Sequence, residues 1–306
     1  MATANPTKNK IKLLKQEYDI LRIGKDALLR MIDEAEIPEM VYNSNAIENS
    51  TLTLKETEKI LLEMEVSRDV SLREVFEAKN LARIIEYLRD KSQEGEVSKE
   101  IIVLLHQMLI GNIDDNIAGK FRKTGEYVRI GTYIAPPPEH IDEIIEEIIV
   151  EYTSEHDSYF IDKITKFHLD FENLHPFLDG NGRIGRVLIN YQLQHLGFPN
   201  LIIRDKEKQK YYNGFKEYRD NKNTKPMEKV LALALMESLH KRIAYLKGEA
   251  IITLIEYARE LGKPAPVLLN AAGRQTIPAF REKGIWKIGQ NKNLILQVSS
   301  EKRGLM

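Results

Sequence analysis

A twelve-residue segment, residues 175–186 (HPFLDGNGRIGR), joins two stretches with helical periodicity and constrains the fold more than any other part of the sequence. Two glycines and an asparagine interrupt the helical pattern. They predict a tight loop between a helix that ends near Leu174 and a helix that begins near Arg183. Such a loop turns backbone N–H groups inward, and the N-terminus of the following helix adds the positive end of its dipole. The segment therefore predicts a cradle for an anion such as a phosphate group.

The side chains of this segment suit nucleotide chemistry. Arg183 and Arg186 are three residues apart and share one helix face, where their guanidinium groups can bind phosphate oxygens. Asp179 supplies a hard oxygen ligand for Mg²⁺. His175 titrates near neutral pH, as a general base requires. The alternative is an ordinary turn with a core histidine and solvated arginines, and the combination of these residue types within one short segment argues against it.

The rest of the chain is mostly helical. Apolar residues recur at spacings of three, four and seven, first along one long helix that includes Ile11 and Ile32. Further helices are predicted over 70–89, 98–109, 139–153, 159–174, 183–196, 206–218 and 226–246. Residues 120–135 instead contain β-branched and aromatic residues with two glycines, which predicts a short hairpin.

Composition excludes several classes of protein. The chain has 45 Lys+Arg and 46 Asp+Glu among 306 residues, so its whole surface is not that of a nucleic-acid-binding protein. It has no cysteine, which excludes a disulfide scaffold and every cysteine-based metal site or nucleophile. The longest apolar stretches fall far short of a membrane span, and no secretory signal is visible. We therefore expect a cytoplasmic protein with no membrane partner.

The C-terminal sixty residues differ in charge, with 10 Lys+Arg and 5 Asp+Glu. The pattern predicts helices over 250–261 and 267–272, a third short helix near Ile277–Glu282, and strands at 285–288 and 294–298. This order is typical of a small winged helix-turn-helix domain. Its function is left open between DNA binding, docking of a protein target, and packing on the remainder of the chain.

The segment 175–186 resembles the HPFxxGNGRxxR signature of the Fic (filamentation induced by cAMP) family and matches every fixed position. Gly119-Lys120-Phe121-Arg122 and Val128-Arg129-Ile130-Gly131 resemble the family's flap region. The resemblance implies AMP transfer from ATP, with Mg²⁺, to a Ser, Thr or Tyr hydroxyl of a target protein. It covers most of residues 35–220.

The resemblance implies a role for each residue of the signature. His175 would deprotonate the target hydroxyl, and Asp179 would hold Mg²⁺ between the α- and β-phosphates. Asn181, with the backbone of Gly180 and Gly182, would line the anion hole. Arg183 would bind the β-phosphate side, and Arg186 the γ-phosphate.

An upstream segment, residues 44–49 (SNAIEN), resembles the inhibitory motif [S/T]xxxE[G/N] of the same family. Taken alone, it predicts a short capped helix. The resemblance implies that Glu48 forms a salt bridge with Arg186 and blocks productive ATP binding, while Ser44 steadies that helix. It also implies a second candidate activity, in which Glu48 orients a water molecule that removes AMP from a modified target.

Two further sets of residues follow from the resemblance. Val128, Ile130, Gly131 and Thr132 would pair with an extended segment of the target by strand addition. Tyr211 and Tyr212 are candidates for stacking near the adenine. The alternatives are a purely structural hairpin and two core tyrosines.

Three regions are expected: residues 1–98 with the inhibitory motif, a Fic catalytic core over 99–246, and the winged helix-like domain over 247–306. We expect a homodimer, as is common among Fic proteins with an N-terminal inhibitory motif. An alternative of another class is a transcriptional regulator that binds DNA through the C-terminal domain and senses nucleotide through its Fic core.

Overall fold

Helices make up most of the computed structural model, which describes residues 5–66, 70–131 and 133–290. In chain order the helices are α1 (Asn5–Leu21), α2 (Asp26–Ile47), α3 (Leu54–Glu58), α4 (Leu72–Lys91), α5 (Lys99–Ile110), α6 (Ile141–Ser154), α7 (Phe160–Leu174), α8 (Asn181–His195), α9 (Lys208–Asn221), α10 (Lys225–Leu246), α11 (Leu254–Glu260) and α12 (Ala265–Gly273). Shorter helical turns cover Lys59–Glu63, Pro138–His140 and Asp205–Glu207. The predicted helical fold class is confirmed.

The strands form two small antiparallel sheets. β1 (Arg129–Ile130) pairs with β2 (Tyr133–Ile134), with Arg129 opposite Ile134. The other sheet contains β3 (Ala250–Thr253), β4 (Ala279–Glu282) and β5 (Ile285–Gln290) in the order β3–β5–β4. None of the helices in the described residues is long and apolar enough to cross a membrane.

The N-terminal helices differ from the prediction in two places. The predicted long helix is two helices, because the chain turns after α1 with Gly24 at a φ of 70°, in the left-handed region that favours glycine. The segment with Ser44 and Glu48 is not a short separate helix. It is the end of the 22-residue helix α2, and Glu48 is the first residue beyond the last turn.

The hairpin of α7 and α8 carries the segment 175–186 and packs within a large hydrophobic core. Residues of α4, α5, α6 and α7 bury their apolar faces in the same core as α8. The fully buried members include Ile84, Leu105, Ile145, Phe171, Phe177 and Ile184. Each such side chain contributes about 1.5–3 kcal/mol by its burial. The loop between α7 and α8 is therefore held at both ends by well-packed helices.

The described residues divide into two compact units. One contains residues 35–232, with the core and the loop described above, and the other contains residues 6–34 together with 233–290. The expected division into 1–98, 99–246 and 247–306 stays a prediction.

The C-terminal residues form two helices and a three-stranded sheet. The predicted third helix near Ile277–Glu282 is wrong, because residues 279–282 form β4 and pair with β5 across a two-residue turn. Residues 250–253 form β3, and α11 begins only after Thr253, whose side chain caps the helix together with Glu256. The predicted strand at 294–298 lies outside the described residues. The winged helix assignment stays a prediction.

Candidate active site

In the loop of the segment 175–186, the Asn181 side chain forms two hydrogen bonds with the backbone of Phe177. The Phe177 backbone N–H donates to Asn181 Oδ1 over 2.9 Å, and Asn181 Nδ2 donates to the carbonyl of Phe177 over 2.8 Å. Asn181 is buried, so its side chain shapes the loop. The first N–H groups of α8 have no partner within the helix, which leaves backbone donors for an anion.

His106 of α5 packs against the loop, a role that was not predicted from the sequence. Its ring stacks on Phe177 with centroids 3.6 Å apart. The Gly119 N–H donates to Nδ1 over 2.9 Å, so the proton lies on Nε2, which is 3.0 Å from the carbonyl oxygen of Asp179. Burial lowers the pKa of His106 to about 4. A neutral His106 therefore fixes the backbone at Asp179.

His175 ends α7 and lines the cleft above the loop. Its Nδ1 is 3.3 Å from the carbonyl oxygen of Glu172, an acceptor, so Nδ1 carries the proton and Nε2 is free to accept one. The side chain is 23% exposed. Burial lowers the pKa of His175 below its ordinary value, so the ring is neutral at pH 7. This is the protonation state of a general base.

Asp179 and Arg183 belong to a closed ring of four charges. Arg183 Nη2 lies 3.2 Å from Asp179 Oδ1, and its Nη1 lies 3.0 Å from Glu77 of α4. Arg73, also on α4, contacts both Glu77 and Asp179. Burial favours the neutral acid, but Arg183 and Arg73 hold the pKa of Asp179 below its ordinary value. Arg73 and Glu77 were not identified from the sequence.

Arg186 is held by the end of α2. Its Nε donates to Ser44 Oγ over 3.0 Å, and its Nη2 donates to the Ser44 carbonyl over 2.9 Å and to Glu48 Oε1 over 2.8 Å. Arg186 is 6% exposed. Burial opposes its charge, but Glu48 and other nearby groups raise the pKa of Arg186 above its ordinary value. Both Ser44 and Glu48 thus contact the guanidinium for which the family resemblance implies a role at the γ-phosphate.

Because Gly182 has no side chain, the Glu48 carboxylate can lie close to it. A Cβ atom on residue 182 would lie 2.3 Å from Glu48 Oε1 and 3.2 Å from Arg186 Nη1. No real Cβ atom makes a contact as short as the first of these, so only glycine permits this carboxylate to approach the first turn of α8.

The two candidate adenine tyrosines differ in exposure. Tyr211 is 1% exposed and its hydroxyl is 2.8 Å from His168 Nε2, so its ring is not accessible to a base. Tyr212 is 38% exposed, and its hydroxyl donates to the carbonyl of Ile47 at the end of α2. Of the two candidates, only Tyr212 lies where a ligand can reach it.

The hairpin of β1 and β2 is tied to the loop by Arg122. The Arg122 guanidinium is buried and donates to four carbonyl oxygens, those of Glu126, Pro136, Leu174 and His175, at 2.8–3.2 Å. Ile130 pairs with Tyr133 in the hairpin, and Val128 accepts a hydrogen bond from the N–H of Ala135. Gly131 lies at the turn, and Thr132 lies outside the described residues.

An open cleft of about 370 Å³ lies above these groups. Its lining includes Glu48, Arg73, Glu77, His175, Asp179 and the first turn of α8. Another cleft, of about 450 Å³, lies between α6, α7 and α9, and its Lys166 is already paired with Glu151 and Asp170. The smaller cleft brings together a neutral histidine, free backbone donors and arginines, so we place the site there.

Residues 96–193 match the sequence model of the Fic/DOC family. The chain is similar to the protein adenylyltransferase Fic of Drosophila erecta, with 27% identity over 266 residues, which are 85% of this chain and 53% of that protein. It is also similar to the protein adenylyltransferase fic-1 of Caenorhabditis elegans, with 32% identity over 205 residues, 65% of this chain and 39% of that protein. The chain spans about half the length of the curated relatives it matches.

A solved structure shares this fold. It is a Fic domain-containing signaling protein from Bacteroides thetaiotaomicron, with a TM-score of 0.70 and 25% identity. The similarity covers 79% of this chain and 98% of that structure.

Proposed function

We propose that the chain is a protein adenylyltransferase, because residues 96–193 match the sequence model of the Fic/DOC family. It would transfer AMP from ATP to a Ser, Thr or Tyr hydroxyl of a target protein. The observation that carries the proposal is the cleft that His175 shares with Asp179, Arg183 and the N-terminus of α8.

In the proposed reaction His175 acts as the general base. Its Nε2 accepts the proton of the target hydroxyl while Nδ1 keeps its proton on the carbonyl of Glu172. As that O–H bond breaks, the oxygen attacks the α-phosphorus of ATP. A P–O bond to the target forms, the bond from the α-phosphorus to the bridging oxygen breaks, and pyrophosphate leaves. Positioning and neutralisation of charge account for most of the rate in such transfers.

The phosphates would be held by the backbone donors of Asn181 and Gly182, with Arg183 towards the β-phosphate. The Gly180 N–H, the third donor expected there, donates to Asp179 Oδ1 over 2.6 Å and so links the loop to the proposed metal ligand. The Mg²⁺ that the resemblance implies fits this site. Asp179 is half-buried and ionised, and Mg²⁺ in nucleotide sites commonly takes one or two carboxylates together with substrate phosphates. The described residues contain no cluster of three carboxylates or histidines that would hold the ion without the nucleotide. When bound, Mg²⁺ would neutralise phosphate charge.

Glu48 is proposed to inhibit the transfer. It occupies Arg186, the residue expected at the γ-phosphate, through the 2.8 Å ion pair. The Glu48 side chain is 40% exposed, so the pair is weaker than a fully buried one and can be displaced. ATP would then bind without its γ-phosphate on Arg186 until Glu48 moves away.

The proposal is tested with ATP labelled at the α-phosphate. We expect little label on protein with the wild type, and labelling raised on the order of tenfold to a hundredfold with Glu48→Gly. Glu48→Gln should give a similar increase, because it removes the charge and keeps the shape. The double variant Glu48→Gly, His175→Ala should transfer nothing.

The matched control is Asn49→Gly, because Asn49 already has a φ of 68° and contacts Lys208 rather than Arg186. It adds the same backbone freedom next to Glu48 and should leave the rate near that of the wild type. Labelling that persists without His175, or that is absent in both Glu48 variants, would contradict the proposal.

The second candidate activity is removal of AMP from a modified target. The observation that favours it is the position of the Glu48 carboxylate, which is partly exposed in the same cleft as His175 and Asp179. A carboxylate there can orient water towards a phosphodiester. The test is release of label by wild-type protein from a target that Glu48→Gly has modified, with Glu48→Gln as the inactive comparison.

The remaining partners are proposals as well. The hairpin of β1 and β2 would bind the target by strand addition, and Tyr212 would contact the adenine. The chain would form a homodimer, and light scattering measures the mass of the particle in solution.

Contacts within the C-terminal residues weigh against DNA binding. α12 carries no charged residue, Arg281 is paired with Glu237, and Lys287 is paired with Glu282. We expect no steep loss of DNA binding with rising salt, the signature of phosphate contacts.

A further inference from the structure

A carboxyl group lies directly behind His175. Glu172 is on the last turn of α7, its side chain is 11% exposed, and its Oε2 is 3.8 Å from His175 Nδ1. Its Oε1 is buried and has no hydrogen-bond partner among the described residues. An unpartnered buried carboxyl oxygen is costly to stability, so its presence beside the general base calls for a functional reason.

The chain makes room for this carboxyl with Gly185. A Cβ atom on residue 185 would lie 2.4 Å from Glu172 Oε1 and 2.9 Å from His168 Cε1. Residue 185 occupies a variable position of the HPFxxGNGRxxR pattern, so that pattern does not require the glycine. Its effect here is to let α8 approach the carboxyl closely.

Charged and titratable groups face Glu172 from every element packed against it. His168 and His175 lie on its own helix, Arg186 on α8, Glu48 beyond the end of α2, and Tyr211 and Tyr212 on α9. Burial, and then Glu48, raise the pKa of Glu172 to about 8, while Arg186 acts in the opposite direction. With Glu48 in place the carboxyl is therefore mostly protonated at pH 7.

We propose that Glu172 is a positioning residue for His175 and that its carboxylate, 3.8 Å from Nδ1, stabilises the protonated imidazole formed during transfer. Glu48 acts against this role, because its negative charge disfavours ionisation of the Glu172 carboxyl. This inference rests on the proposed function. When His175 Nε2 takes the hydroxyl proton, Nδ1 keeps its own proton between the carbonyl and the carboxylate of Glu172. No bond to Glu172 forms or breaks. Removal of Glu48 takes away a negative charge that opposes ionisation of Glu172 and leaves Arg186, which favours it.

The first test is an NMR titration of the His175 ring without nucleotide, with its resonance identified by comparison with His175→Ala. Four proteins are compared: wild type, Glu172→Gln, Glu48→Gly, and the double variant. In the wild-type background we expect Glu172→Gln to leave the His175 titration unchanged. In the Glu48→Gly background it should lower the pKa of His175 by roughly half a unit or more, because a nearby carboxylate is lost.

The second test is the pH dependence of AMP transfer in the Glu48→Gly background. Glu172→Gln should lower kcat by about tenfold with little change in KM for ATP, and Glu172→Asp, which can still ionise, should restore part of the loss. The control is Glu147→Gln, the same change at an exposed position of α6. Thermal melting checks that each variant is folded.

The outcomes separate this inference from the proposed function. If Glu48→Gly transfers AMP but Glu172→Gln shifts the His175 titration in neither background, Glu172 is structural and the inference is overturned. A shift of equal size in both backgrounds overturns the part assigned to Glu48. If no variant transfers AMP, the proposed function fails, and the titration still decides whether Glu172 and His175 are coupled.

Discussion

The guanidinium of Arg122 donates a hydrogen bond of 2.8 Å to the carbonyl oxygen of His175. The same guanidinium donates to the carbonyl oxygen of Leu174. It also donates to the carbonyl oxygens of Glu126 and Pro136, which lie on either side of β1 and β2 in the chain. One buried side chain therefore holds the proposed general base and the proposed target-binding hairpin in a fixed relation.

Replacing Arg122 should lower the stability of the folded protein. Arg122→Met keeps the apolar length but leaves four carbonyl oxygens without their donor, and we expect the free energy of unfolding to fall by about 2–4 kcal/mol. Urea denaturation measures this. The control is Arg129→Met in the same hairpin, because the exposed Arg129 guanidinium donates to the carbonyl of Gly131 and does not bond to the loop within the described part of the chain. A loss of the same size in both variants would contradict the role assigned to Arg122.

Replacing Ser44 should release the inhibition in part. The Ser44 hydroxyl accepts a hydrogen bond from Arg186 Nε, and Ser44→Ala removes it while the backbone carbonyl of Ser44 and Glu48 stay in place. A charge-assisted hydrogen bond contributes about 1.5 kcal/mol, so transfer of labelled AMP should rise roughly tenfold.

The control for Ser44 is Ser50→Ala. The Ser50 hydroxyl lies near the same cleft but bonds to Glu74 rather than to Arg186. A rise in Ser50→Ala equal to that in Ser44→Ala would mean that loosening of this region, and not the contact with Arg186, releases the inhibition.

The sequence predicted those parts of the site that are contiguous in the chain. The loop of residues 175–180 and the start of α8 follow from two glycines and an asparagine between helical patterns, since local backbone preferences determine them. The pairing of Arg186 with Glu48, 138 residues away, followed only from the family resemblance.

Other residues of the site could not be found in this way. His106 and Arg73 reach the loop from 73 and 106 residues away, and no local pattern marks them. Arg122 lies in a segment that resembles the family's flap region, but nothing local indicates its contact with His175, 53 residues away. The tyrosine pair shows a similar limit. Neighbouring helical residues point about 100° apart, so Tyr211 and Tyr212 face different directions, and the sequence did not indicate which of them lies in the core.

The sequence contains an indication against the helix predicted at residues 277–282. Lys283 and Gly284 have φ angles of 52° and 77° and form the two-residue turn between β4 and β5. A glycine in a two-residue turn between β-forming residues is typical of a hairpin. The hairpin takes precedence over the weak helical pattern because Phe280 and Ile288 are buried in the sheet that it completes.

Stability should fall on acidification partly through His106. Its pKa in the folded protein is about 4, below the ordinary 6.5. Between these values the unfolded chain binds a proton that the folded protein does not, so stability is full above pH 6.5 and is lost as the pH falls towards 4. From pH 7.5 to 5.5 the contribution of His106 is about 1.4 kcal/mol.

His106→Gln removes this titration, so the difference in unfolding free energy between pH 7.5 and 5.5 should shrink by that amount. Urea denaturation at the two values measures it, with the exposed His156→Gln as the control. An unchanged difference in His106→Gln would show that the loop does not depend on a neutral His106.

The contact between Arg73 and Asp179 should compete with Mg²⁺. Arg73 contacts Asp179 Oδ2, while Arg183 and the Gly180 N–H contact Oδ1. A metal ion that binds Oδ2 therefore competes with the Arg73 guanidinium. In the Glu48→Gly background we expect Arg73→Met to lower the Mg²⁺ concentration for half-maximal AMP transfer by roughly threefold to tenfold, because a competing cation is removed. The control is Arg83→Met, which removes the same charge from an exposed position of α4. If Arg73 instead helps to bind the nucleotide, its loss raises the KM for ATP and leaves the Mg²⁺ requirement unchanged, which would contradict the competition.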